Sequence, residues 1–218
     1  MPLSEPPAPS ALASLPSQGL AGRLLHRVFK AGRASPWWFN SAGDCPAAAG
    51  RFDLPAPDGA CYLTTNPVSA VLEALPDYGR GVLPVAELRA RRRAVVTAPP
   101  SAPRAARLVS ARSRGLGITQ ALWAGAPREL TQRWARALRR AGWLALWGGT
   151  QHDPTGQSRT VTLFDDAGEH PPFGDEAWAW RALPLAGDRE VADGLARYGI
   201  VVLADFDPPF APGTGAGP

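Results

Sequence analysis

Three charged side chains occupy places that solvent exposure alone does not explain. Arg27 falls in residues 24–29, a short run of mostly apolar residues that reads as a β-strand. A guanidinium on such an element needs an ionic partner or a ligand. Arg51 follows a glycine in Gly50-Arg51-Phe52-Asp53, and Glu73 falls between Leu72 and Ala74 in a predicted helix. Tyr62 lies eleven positions after Arg51, and Glu73 eleven after Tyr62. Brought together, these groups make either a ligand site or a buried structural ion pair of Arg27 with Glu73. Tyr62 reads equally well as a core residue, and spacing alone leaves both readings open.

The elements that must position these residues are short. Residues 60–64 are β-prone and half apolar. Asn66-Pro67 is a helix start, Asn at the N-cap and Pro at the first helical position. The helix it opens places Val68, Val71, Leu72 and Leu75 on one side and stops at Pro76. Residues 82–88 and 94–97 read as strands around an Arg cluster. A second helix is predicted over 127–141, with Leu130, Trp134, Leu138 and Ala141 at steps of three and four and Gly142 just past its end. Strands follow at 143–147 and 160–164, then a helix over 189–198 and a buried strand over 200–203. Strands and helices alternate without a regular βαβ rhythm, which predicts an α+β fold.

Composition sets the outer limits. The 218 residues include 23 Gly and 24 Pro, too many for a coiled coil or a plain helical bundle. Hydrophobic residues make up 45% of the chain and include eight Trp, enough to build a core and to argue against global disorder. One domain over 21–204 is expected between flexible tails, Pro/Ser/Ala-rich at 1–20 and Pro/Gly-rich at 205–218. Cys45 and Cys61 form no CxxC, and the three His are scattered, so neither a disulfide scaffold nor a metal site is expected. No run approaches the 18 apolar residues of a membrane span, and no signal peptide is apparent, so a cytoplasmic location is expected. P-loop, Rossmann and GxSxG motifs are absent. The net charge of +4 and the eight Arg of 89–114 do not by themselves make a nucleic-acid binder. Trp37-Trp38 could stack on a base or plug the side of the core.

An ordered pattern joins the charged residues: H-R-V at 26–28, G-R-F-D at 50–53, and Y-L-x-x-x-P-x-x-A-x-x-E at 62–73. It resembles the RES-domain family, toxins of bacterial toxin–antitoxin pairs, named for an Arg, a Glu and a Ser. The likeness continues at Thr131-Gln132-Arg133-Trp134 and ends in the apolar-Leu-Phe strand at 160–164, within roughly residues 21–204. Arg27 matches the family's Arg and Glu73 its Glu, with Arg51 and Tyr62 at further pocket positions. The Ser position falls on Thr150; Ser158 would need an eight-residue insertion.

The resemblance implies an ADP-ribosyltransferase-like core of short mixed or antiparallel strands with a few flanking helices. Such a core binds NAD and cleaves its nicotinamide–ribose bond without a metal. Arg27 and Arg51 would take the pyrophosphate, and Tyr62 would stack on nicotinamide. Glu73 would stabilise the oxocarbenium-like transition state, and Thr150 would hydrogen-bond the ribose or the amide. Three outcomes stay open: NAD depletion by hydrolysis or phosphorolysis, ADP-ribosyl transfer to a macromolecule, and nucleotide or partner binding without turnover. The implied partner is an Xre-like helix-turn-helix antitoxin encoded by an adjacent gene. DNA contact would then belong to the antitoxin, and self-association of this chain is left open.

Overall fold

The structure is a computed structural model that describes residues 2–43, 49–75, 81–153 and 155–204. Cys45, Pro76 and the predicted tail at 205–218 lie outside the described residues. In chain order the elements begin with α1 (Pro9–Leu12), β1 (Ser17–Gln18), β2 (Leu24–Lys30), β3 (Ser41–Ala42), β4 (Leu54–Pro55), β5 (Asp58–Thr64) and α2 (Pro67–Ala74). There follow β6 (Val82–Pro84), α3 (Val85–Arg89), β7 (Arg91–Thr97), β8 (Ala105–Arg107), α4 (Ala111–Gly115) and α5 (Arg128–Arg140). The chain closes with β9 (Ala145–Gly149), β10 (Arg159–Asp166), β11 (Ala179–Pro184), α6 (Arg189–Arg197) and β12 (Val201–Leu203).

Eight strands form one sheet in the order β1-β8-β9-β10-β5-β2-β7-β11, antiparallel except where β8 runs parallel to β9. The α+β reading therefore holds, with the sheet as its frame. β5 pairs with β10 over seven residues, and β2 with β7 over seven. Between β2 and β5, by contrast, the register holds at a single pair, His26 with Thr64. The sheet opens there, between its fifth and sixth strands. α5 and the N-terminal segment pack with β4, β8 and β9 in one core cluster, and α2 and α6 with β6 in another. Among the described residues no helix is long and apolar enough to cross a membrane.

The local signals that predicted the two site-bearing helices act as expected. Asn66 Oδ1 accepts the N–H groups of Val68 and Ser69 at 2.9 and 3.1 Å, satisfying two donors at the start of α2. α5 ends in a Schellman motif: Gly142 N donates to Arg139 O at 3.0 Å and Trp143 N to Leu138 O at 3.2 Å. That cap also explains why β9 begins at Ala145 rather than at 143, since residues 142 and 143 are still closing the helix.

Three expectations need correction. Residues 82–88 are not one strand, because Val85–Arg89 turn into α3; apolar positions at 82, 83, 85 and 88 fit either period over so short a run. β12 is not buried: Val201 and Leu203 are half exposed, Val202 packs partly buried against the core, and only Ile200 before the strand is buried. The segment 2–20 is no mobile tail. Leu3, Leu12, Leu15 and Leu20 are buried, and Trp134 and Trp143 donate their indole N–H groups to Ser4 O and Leu12 O. Four leucines anchor a stretch whose Pro and Ser content suggested disorder. Trp37 is likewise a core residue, set edge-on against Trp178, and Arg33 covers Trp38.

Candidate functional site

A cleft of about 300 Å³ lies where β2 and β5 part. Arg27, Arg51, Tyr62 and Glu73 all line it, together with His26, Trp123, Arg128, Gly149, Gln151 and His152. Four residues from four separate segments thus meet in one cleft. Three arginines face a single carboxylate in the lining. Among the described residues no group of three or more His, Cys, Asp or Glu gathers as a metal site.

Arg27 sits at the opening of the sheet and is 8% exposed. Nη2 donates to Trp38 O at 2.9 Å, and Nη1 donates to Tyr62 O at 3.3 Å and to Cys61 Sγ. These acceptors are uncharged, for burial pushes the Cys61 thiol up and keeps it protonated, against the pull of Arg27. Arg27 Nε is buried with no hydrogen-bond partner among the described residues. The buried ion pair with Glu73 that spacing allowed is therefore not formed. Arg27 thus makes no ion pair among the described residues, although its charge reaches the buried Asp53 carboxyl and helps to lower its pKa against the larger effect of burial.

The second arginine rides on a fastened turn. Thr131 Oγ1 donates to Arg51 O at 2.7 Å and Gln132 Nε2 to Gly50 O at 3.0 Å, so the start of α5 grips the turn from outside. From inside, Asp53 Oδ2 accepts Gly50 N–H at 2.7 Å and Asp53 Oδ1 accepts the Tyr62 hydroxyl at 2.6 Å. A side chain at 50 is excluded, because its Cβ would lie 2.6 Å from Tyr62 Oη and 2.7 Å from Asp53 Oδ1. Burial raises the Asp53 carboxyl, opposed by the two hydrogen bonds. Burial, then the Asp53 charge, pushes the Tyr62 hydroxyl far above its ordinary range, so it stays a donor. Arg51 itself donates to Ala126 O at 2.8 Å and to Gln151 Oε1. Burial and then neighbouring Arg128 lower its pKa, with Glu73 opposing.

Glu73 projects from the last turn of α2, and its Oε1 accepts the Gln151 N–H at 3.0 Å. Burial holds the carboxyl above its ordinary 4.5, while His152, the Gln151 N–H and Arg51 pull it back. The loop after β9 thus supplies both an N–H and an imidazole to the carboxylate.

Thr150 departs from expectation. Gly149 lines the cleft, and strand alternation turns the next side chain the other way. Thr150 is buried away from the cleft, and its hydroxyl has no partner among the described residues. Ser158 does not line the cleft either; its hydroxyl accepts from Ser69 at 3.0 Å. The two threonines that do line the cleft, Thr64 and Thr160, spend their hydroxyls on Asn66 O and Gly149 O.

Sequence reasoning missed Asp53, Trp123, Arg128, Gly149 and His152. Asp53 stood inside the quoted G-R-F-D run, where a buried tyrosine close by in the chain was the available signal. Arg128 opens a helix whose Thr131 and Gln132 already belonged to the pattern. Trp123 lies in a loop without periodicity, and nothing in the sequence places it over β9.

The RES domain profile matches residues 23–193. In three dimensions the chain is similar to one in a crystal structure of the M. tuberculosis MbcT–MbcA toxin–antitoxin complex. That likeness has a TM-score of 0.55 at 14% identity and covers 81% of this chain and 92% of the other. At that identity it speaks for the fold. No curated protein sequence matches the chain.

Proposed function

The chain belongs to the RES-domain family, and from that membership and the charge pattern of its cleft we propose that it binds NAD and cleaves the nicotinamide–ribose bond. The observation that carries this reading is the charge pattern of the cleft, which Arg27, Arg51 and Arg128 line together with Glu73 as its single carboxylate. Arg27, Arg51 and Arg128 suit the two negative charges of the pyrophosphate, since guanidinium groups engage such oxygens with paired N–H donors. Glu73 faces the ribose. As the C–N bond breaks, its electron pair moves onto the pyridine nitrogen and positive charge develops on the ribose ring, which the carboxylate stabilises. Nicotinamide leaves neutral, so no general acid is required. Water adds to the anomeric carbon and releases its proton to solvent, giving ADP-ribose.

In this reading the chain is the toxin of a pair, restrained by an antitoxin. The MbcT–MbcA relative is such a complex, and the helix-turn-helix type follows from the family resemblance. The test is nicotinamide release from NAD by the purified chain, for wild type and Glu73→Gln, with water, phosphate or a cell lysate as source of acceptor. Release by wild type and a loss of roughly 10²–10³-fold in Glu73→Gln are expected. No release under any condition would remove the enzyme reading. Label from NAD on a macromolecule in the lysate would replace hydrolysis by transfer.

A further inference from the structure

Trp123 stands in the wall of the cleft with the edge of its indole over Gly149, the last residue of β9. A Cβ added to Gly149 would lie 2.3 Å from Trp123 Nε1, 2.5 Å from Cε2 and 2.9 Å from Cδ1. Carbon atoms in good contact stand about 3.5–4.0 Å apart. The atoms met are those of a rigid ring, not the end of a flexible chain, so a side chain at 149 and this seat for the indole exclude each other. The one position of β9's end that faces the cleft has given up its own side chain to a tryptophan from elsewhere.

The seat is firm. Trp123 N donates to Gln120 O at 3.1 Å, and Leu122 beside it is wholly buried. Three residues on, Ala126 O accepts from Arg51 Nη1 at 2.8 Å, tying the same loop to the proposed phosphate-binding arginine. Of the aromatic side chains in the lining, Phe52 is buried and Tyr62 is fixed by its bonds to Asp53 and Phe52. Trp123 stays half-buried. Tyr62, His26 and His152 are half-buried in the same lining, and among the described residues Trp123 is the one of that lining whose ring atoms sit against a glycine.

We infer that Trp123, seated on Gly149, is the specificity-determining wall of the cleft and takes a flat heteroaromatic ring of the ligand against its indole. The inference rests on the NAD reading and names the protein's partner for one of NAD's two rings. Indole is the best natural face for a cationic pyridinium, and it stacks with purines as well. Both sources share the chemistry, and the experiment separates them.

Calorimetric titrations would use NAD, ADP-ribose (no nicotinamide) and nicotinamide mononucleotide (no adenylate). The host is the Glu73→Gln protein, which keeps NAD intact, and Trp123→Leu and Trp123→Phe are made within it. Trp123→Leu is expected to weaken NAD by about tenfold or more, and Trp123→Phe, which keeps a ring, by about threefold or less. Losses shared by NAD and ADP-ribose place the adenine on the indole; losses shared by NAD and the mononucleotide place the nicotinamide there. NAD affinity within about twofold in Trp123→Leu overturns the inference and leaves the NAD reading standing. Absence of NAD binding by both wild type and the host overturns that reading, and the ring assignment with it. The seat is tested separately by thermal melting of Gly149→Ala in the wild-type and Trp123→Ala backgrounds. A lowered Tm in the first alone is expected, and an equal drop in both would refute the seat.

Discussion

The Tyr62 hydroxyl donates to Asp53 Oδ1 at 2.6 Å and accepts from Phe52 N at 3.0 Å. The tyrosine in the cleft wall therefore also fastens the turn that carries Arg51. Asp53 is almost wholly buried, so Tyr62→Phe strips one donor from a carboxylate with no access to water. A loss of about 1–3 kcal/mol in urea denaturation is expected. The KM for NAD should rise with it, because Arg51 loses its mounting. A variant with unchanged stability and KM would show that the bond does not hold the turn.

Glu73 predicts the acid limb of activity. Its carboxylate must be ionised to stabilise a developing cation, and burial raises its pKa from 4.5. The limb of kcat/KM should therefore lie above 4.5. His152 is the largest influence pulling the other way, ahead of the Gln151 N–H and Arg51. His152→Gln should move the limb to higher pH without abolishing activity. A profile of nicotinamide release against pH for both proteins checks the direction, and a shift to lower pH would contradict it.

His26 predicts a pH dependence of stability. Burial, and then the charge of Arg93, push it down from 6.5 to about 4. The unfolded chain then takes up the proton first, so stability falls as pH drops from 6.5 toward 4. His26→Gln should flatten that slope. Urea midpoints across the interval would show it, and parallel curves for the two proteins would count against the assignment.

Thr150 should be dispensable. Its hydroxyl is buried away from the cleft and has no partner among the described residues. Thr150→Val keeps the branched shape and removes an unsatisfied polar atom, so stability should hold or rise by about 1 kcal/mol. Activity should stay within about twofold of wild type, against roughly 10²-fold or more for the loss of a transition-state contact. A large loss in this variant would return Thr150 to the site.

How much of this the sequence reveals depends on the range of the signal. α2 and α5 are legible because their caps and apolar steps lie within a few residues of one another. Arg27, Arg51, Tyr62 and Glu73 are legible as a set because each belongs to a spaced motif. The missing side chain at Gly149 is not, since its meaning lies in Trp123, twenty-six positions earlier in the chain and brought against it by the fold. The misplacement of the hydroxyl at Thr150 has the same root. Strand direction decides which of two neighbours faces the cleft, and one residue of register reverses the answer.

The N-terminal segment carries a practical consequence. Trp134 on α5 bonds to Ser4 O, and Thr131, one turn earlier on the same helix, holds Arg51 O. Glu5 pairs with Arg133 at 2.7 Å on the same stretch, and β1 completes the edge of the sheet beside β8. A protein shortened to begin at residue 21 would retain every side chain of the cleft. It would lose the layer against which the helix behind Arg51 is braced. Trimming for crystallisation, or a purification handle pressed against Leu3, would then look like damage to catalysis although no catalytic group had been touched.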